Sequence, residues 1–267
     1  MHTALTYVAL AQQHRIDELE KLHRICELMS ATSELVHCLQ SERGSSNIFL
    51  ASKGVSFREK WLSFGSDADA ACGRLHLWLD SQDRSGALAG GSRFLMRLAL
   101  VMHAINDLPS LRQKILNREL SPADSTIAYS SVVNALLALV FEAADIAVDP
   151  LVSKELVALF HLMQGKEFAG LERASGARIC ASEKTPDLLQ ALGNLIELQE
   201  HCIGRFEDFS SIEIVDQWTA LTKSMPMIEL EKMRRKLLSP KLVDESIHAD
   251  EWFSMCTRRI DDMHMVE

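Results

Sequence analysis

The chain has 267 residues, 47% of them apolar and only six of them proline, and a formal net charge of −9. That length can bury a sizeable core, arranged as one large domain or two small ones. The acidic balance excludes a nucleic-acid grip by this chain: its densest basic runs, "MRRK" at 233–236 and "TRR" at 257–259, are short and flanked by acids.

Apolar residues recur with a helical period nearly throughout, and no β-branched alternation competes. The first helix is expected over about 12–52, ending at "SKG", and a second over 56–80, stopping in "DSQDRSG". A third is expected over 87–117. "SPADS" caps the fourth, with Pro122 in its first turn and Asp124 or Ser125 accepting free amides. That helix runs to about 148, where Asp149 and Pro150 close it and open a fifth reaching about 181. Later helices follow "EKTPD", start near "SSIEI" and at "MPMIELE", and follow "SPKLVDE". Long helices with short connectors give an all-α fold of antiparallel helices, either one elongated bundle or two fused four-helix bundles, over 1–267.

The cysteines are scattered without a CxxC pair and read as reduced, buried small hydrophobes of a cytoplasmic protein. No basic region precedes "ALTYVALA", so a signal peptide is not expected. Arg97 interrupts "FLMRLALVMHAI", and Glu142 and Asp145 interrupt "VVNALLALVFEAADIAV", so neither reads as a membrane span.

Two arginines stand in unusual places. In "LQSERGSSNIFL", Arg43 lies about 40° from the centre of the stripe made by Leu28, Leu35, Leu39 and Leu50. In "FAGLERASGARICAS", Arg173 lies to one side of the stripe of Leu156, Leu159, Phe160, Met163, Gly170, Ala174 and Ala177. Setting 42–52 beside 172–182 matches Glu42 with Glu172, Arg43 with Arg173, Ser45 with Ser175, Ala51 with Ala181 and Ser52 with Ser182. Two long helices therefore carry the same local design. Small neighbours let helix backbones approach, and two guanidinium groups about 6 Å apart would repel by roughly 3 kcal/mol at an effective dielectric near 20. A small, flat oxyanion would relieve that repulsion and fill the paired donors. In "MIELEKMRRKLL", Arg234 lies on the apolar side with Leu230, Met233 and Leu237, and Arg235 points further toward solvent. The competing explanation is ordinary: such arginines snorkel, or pair with a carboxylate on a neighbouring helix.

Catalysis finds no support. No Ser-His-Asp order, glycine-rich phosphate loop or zinc motif stands out. Glu-x-x-His occurs at Glu20/His23, Glu34/His37 and Glu245/His248, but the first two share one helix and read as solvated surface, so no metal site is expected.

"LVHCLQSERGSSNIFLAS", "SPADSTIAYSSVVNALLALV", "LVALFHLMQGKEFAGLERASGAR" and the closing "ADEWFSMCTRRIDDMHMVE" together resemble the nitrate- and nitrite-sensing (NIT) family over essentially the whole chain. The resemblance implies an all-helical bacterial sensor with nitrate or nitrite as ligand, no cofactor and no enzyme activity. It puts Arg43 and Arg173 at the anion-binding positions, with Arg234 or alternatively Arg235 as the late-helix arginine. Independently of the resemblance, spacing alone places Ser46 and Asn47 one turn beyond Arg43, where they would add donors. Relatives often continue into an RNA-binding antitermination module, ANTAR, which is absent here. The expected output is control of nitrate-assimilation genes through a transmitting helix near 243–265. A homodimer without membrane contact follows from the family picture, with Trp252 and Phe253 reading equally as interface or as core. The rival is a ligand-free helical scaffold that only binds other proteins.

Overall fold

The structure is a computed structural model that describes residues 3–81, 91–181, 185–239 and 247–267. The described residues form ten helices and no strand: α1 (Ala4–Ala51), α2 (Arg58–Ser81), α3 (Ser92–Asn106), α4 (Leu108–Leu116), α5 (Pro122–Ile146), α6 (Pro150–Ala181), α7 (Pro186–Phe209), α8 (Ile212–Thr222), α9 (Met225–Leu238) and α10 (Ala249–Val266). They fall into two compact units, Met1–Leu156 and Val157–Glu267.

The boundaries follow local chemistry. At "SKG", Lys53 and Gly54 take φ of 54° and 86°, and the Gly54 amide turns back to the Phe49 carbonyl, ending α1 as a left-handed cap does. The cap of α5 is Ser121 rather than Asp124 or Ser125. Its hydroxyl accepts from the Asp124 amide while the Asp124 carboxylate accepts from Ser121, a reciprocal box that leaves Pro122 free to open the first turn. The expected third helix is two helices. Pro109 has no amide to give the Ile105 carbonyl, and its ring crowds the preceding turn, so the chain breaks at Asp107 and restarts as α4. Residues 87–90 of that expectation, and Glu245 of the third Glu-x-x-His pair, lie outside the described residues.

In the first unit, α5 packs against α1 and α3 and carries Tyr129, Val133, Leu136, Leu137 and Val140 into the core. It is long and apolar enough to cross a membrane by length and composition, and more than half of that apolar stretch is buried within the protein. In the second unit, Ile179, Leu192, Ile196, Leu230, Met233 and Leu237 pack with Trp252 and Cys256 of α10. A second cluster gathers Leu162, Phe206, Trp218, Ile260 and Met263.

Trp252 is the keystone of α10. It is fully buried, and its indole packs tightly against Gly176: a Cβ at that glycine would come within 2.1 Å of the ring. The indole N–H donates to the Arg173 carbonyl at 3.1 Å. Of the two readings, Trp252 is therefore core, while Phe253 is half-buried against Arg173. Gly176→Ala should destabilise this unit by about 1–3 kcal/mol, the usual penalty for overpacking a closed site. Thermal unfolding would read this as a lower midpoint; an unchanged midpoint would mean the indole moves aside freely.

Candidate functional site

Arg43 and Arg173 are placed closer to the buried seams of their helices than wheel projection suggests. On α1 the buried line runs Met29, Thr32, Val36, Leu39, Arg43, Ser46, Leu50, and Arg43 sits on it at 3% exposure. On α6 it runs Leu162, Lys166, Ala169, Arg173, Gly176, with Arg173 at 7%, whereas Ala174 of the expected stripe is exposed. A buried guanidinium must find partners, because transferring it from water without them is costly.

In the first unit the glutamate before Arg43 is locked first. Glu42 is fully buried and takes a two-pronged bond from Arg112 of α4: Nε to Oε1 at 2.7 Å and Nη2 to Oε2 at 3.0 Å. The Tyr129 hydroxyl donates to the same Oε1 at 2.8 Å. Gly65 of α2 leaves space for the carboxylate, since a Cβ there would lie 3.3 Å from Oε1. Arg112 also reaches Asp69 at 2.6 Å. Burial works against the Arg112 charge, but its bonds to Glu42 prevail and hold its pKa above the ordinary arginine value. Burial and the Glu42 charge push the Tyr129 phenol well up, so it stays a donor. With Glu42 held, the next residue projects about 100° further round the helix, and Arg43 Nη1 donates to Ser130 Oγ of α5 at 2.6 Å. Ser46 and Asn47 tie α1 to α5 one turn on: the two hydroxyls of Ser46 and Ser125 lie 3.0 Å apart, and the Asn47 amide donates to Thr126 at 2.8 Å.

The second unit repeats this arrangement with different residues. Glu172, 1% exposed, takes Arg234 Nε on Oε1 at 2.7 Å and Nη2 on Oε2 at 2.6 Å. Gln199 of α7 completes the lock, donating to Glu172 at 2.6 Å and accepting from Arg234 at 3.0 Å. Burial opposes the Arg234 charge and Glu172 more than restores it, so its pKa is raised. Arg173 Nη1 donates to Thr257 Oγ1 of α10 at 2.9 Å, and its guanidinium lies 4.7 Å from the Phe253 ring centroid. Seven residues earlier on α6, the fully buried Lys166 pairs with Glu267, which also contacts His264.

Arg235 lies at the surface, 78% exposed and bonded to Glu231 at 3.2 Å, so of the late doublet only Arg234 enters the core. Arg112 escaped sequence reasoning because it belongs to a nine-residue helix whose register Pro109 resets. The one available signal was that a buried Glu42 needs a cation from another helix. Near the first Glu-x-x-His motifs, His23 faces Glu27 and Glu34 pairs with Arg74, all at least half exposed or nearly so. Among the described residues no cluster of His, Cys, Asp and Glu has a metal-binding arrangement.

The family description "Nitrate and nitrite sensing" matches residues 34–267. The chain is 30% identical over 266 residues to the "Nitrate regulatory protein" of Klebsiella oxytoca, covering 98% of this chain but 65% of that protein, so it spans about two-thirds of its relative. It also superposes on the structure of the NasR transcription antiterminator with a TM-score of 0.81 and 28% identity, covering 97% of this chain and 71% of that one.

Breaking either lock should be severe. Arg112→Ala and Arg234→Ala each strand a buried carboxylate, which costs about 3–5 kcal/mol. The double variants Glu42→Leu with Arg112→Met and Glu172→Leu with Arg234→Met remove both charges and should recover most of that loss. Chemical denaturation of the parent and these four variants would check this; equal losses in single and double variants would contradict the lock.

Proposed function

Because the chain belongs to the nitrate- and nitrite-sensing family, we propose that it is a sensor that binds nitrate or nitrite through Arg43 and Arg173. The observation that carries this reading is the repeated device. In each unit a Glu-Arg pair is oriented by a carboxylate lock, and the arginine after the glutamate donates to a hydroxyl on another helix. An oxyanion forms stronger bonds to a guanidinium than a hydroxyl does, so it can compete for these donors. Arg112 and Arg234 already hold carboxylates, and in this reading they act by fixing Glu42 and Glu172. Ser46 and Asn47 act beside Arg43 by joining α1 to α5.

Signal output is proposed to pass through α10. This helix grips the Arg173 turn twice: Thr257 and Phe253 hold the side chain and Trp252 the carbonyl. An anion that redirects Arg173 changes those contacts. Coupling of about 1–3 kcal/mol is typical for such linkage and is enough to bias an output. The output proposed is regulation of nitrate-assimilation genes from the cytoplasm. A homodimer is part of the same reading, and the apolar residues Leu5, Val8, Leu10, Ile16 and Leu19, exposed on the first turns of α1, offer a surface for it. A ligand-free scaffold remains the rival that the test must defeat.

The test is thermal unfolding in nitrate, nitrite, chloride and sulfate at matched ionic strength. At about 100 times the dissociation constant, one site adds roughly 2.7 kcal/mol, which for a chain of this size is on the order of 5–10 °C. The expected result is a rise with nitrate or nitrite, absent with chloride and sulfate, and lost in Arg43→Gln and in Arg173→Gln. Equal small rises in all four salts would favour the scaffold.

A further inference from the structure

Each buried cation described so far has an acceptor, and Arg259 of α10 does not. The buried side of α10 runs Trp252, Cys256, Ile260, Met263. By helical geometry Arg259 stands about 40° from Met263 and about 60° from Cys256, against this side rather than opposite it. An edge of the residue reaches the surface, but its Nε is buried and has no hydrogen-bond partner. The charges facing it are Arg234 and Glu231 from α9 and Glu172 from α6, with the Cys256 thiol on its own helix. Both carboxylates are engaged elsewhere, Glu172 by Arg234 and Gln199, Glu231 by Arg235. Burial first, and then the like charge of Arg234, hold the Arg259 pKa down to about 10, so it remains a cation at neutral pH.

The fold does not need an arginine here. Ser130 of α5 and Thr257 of α10 hold equivalent places as the hydroxyls that receive Arg43 and Arg173. Two residues beyond Thr257 is Arg259; two residues beyond Ser130 is Val132, a buried aliphatic. A charge that packing does not require, and that no carboxylate answers, is a vacant donor set.

We propose that Arg259 forms a second anion subsite in this unit, in which its Nε and neighbouring Nη donate to two oxygens of one small oxyanion. It is distinct from the contacts of Arg173, because Thr257 projects from the other flank of Cys256. The subsite rests on the sensor reading only in that nitrate and nitrite are the first oxyanions to try.

The experiment compares the whole chain with Arg259→Met, Arg259→Gln and Arg173→Gln by thermal unfolding, without anion and with nitrate, nitrite, phosphate, sulfate or chloride. Without anion, Arg259→Met should melt ~2 °C or more above the parent, because an unanswered charge has been removed. With the active oxyanion it should gain less than the parent, while Arg173→Gln keeps the part of the gain that depends on Arg259. Lower midpoints or failure to fold for both Arg259 variants would assign the residue a structural role and overturn the subsite. So would an anion gain that is undiminished in both. Loss of every nitrate effect alongside an Arg259-dependent gain from another oxyanion would preserve the subsite and sink the nitrate reading. A nitrate gain that needs Arg43 and Arg173 but ignores Arg259 would do the reverse.

Discussion

A carboxylate that cannot reach water sets the geometry of both units. Glu42 and Glu172 sit on the inward faces of long helices, and each is answered by the Nε and Nη2 of an arginine from a helix distant in sequence. Buried ion pairs of this kind add little net stability, since desolvation consumes most of the attraction. Their value is directional. A two-pronged bond fixes the rotation of its helix about its own axis, and because successive residues turn by about 100°, fixing the glutamate also fixes where the following arginine projects. The sequence "ER" is therefore a unit with two roles: the acid is held, and the base is aimed.

The device occurs twice with the same parts in the same order. A long first helix carries Glu-Arg (α1, α6), a short helix supplies the locking arginine (α4, α9), and a later helix supplies the receiving hydroxyl (α5, α10). The surroundings differ. Tyr129 and Gly65 complete the lock in the first unit, whereas Gln199 does so in the second and Cys256 takes the place beside the hydroxyl that Tyr129 holds. The burial that pushes the Cys256 thiol well up keeps it neutral among the arginines, where an ionised group would disturb their balance. Convergence on the same atoms through different residues indicates that the geometry, rather than any one side chain beyond the Glu-Arg pair, is what the two halves share.

Much of this was readable from the chain because it rests on local rules. The α1 stop at Lys53 and Gly54, the opening of α5 at "SP", and the inward Arg234 beside Leu230, Met233 and Leu237 each follow from neighbours within a turn or two. The offset of 130 that aligns 42–52 with 172–182 exposes the shared helix design. It fails for the remaining parts, since Arg112 and Arg234 stand 122 apart, and Ser130 and Thr257 127 apart. Connectors of unequal length break the register that a sequence comparison needs, while the bundle absorbs the difference. The split at Asp107 hid Arg112 in a helix too short for periodicity to speak. Trp252 and Phe253 were ambiguous for a related reason: only the glycine opposite, Gly176, makes a place for the indole, and that glycine lies 76 residues away.

In the sensor reading proposed above, the difference between an arginine locked by a carboxylate and one that donates to a hydroxyl decides which guanidinium responds to an anion. A carboxylate already supplies Arg112 and Arg234 with the charge-assisted bonds that an oxyanion would bring, so an incoming anion gains nothing there and meets repulsion from Glu42 or Glu172. The Ser130 and Thr257 hydroxyls accept from Arg43 and Arg173, and a bond to a neutral hydroxyl is weaker than one to an oxyanion. The acid of each Glu-Arg pair thus performs a second service. By drawing its own cation from another helix, it removes a competing acceptor from the neighbourhood of the arginine beside it. In the proposed sensor reading, the anion then meets a cation whose direction the acid beside it has already set.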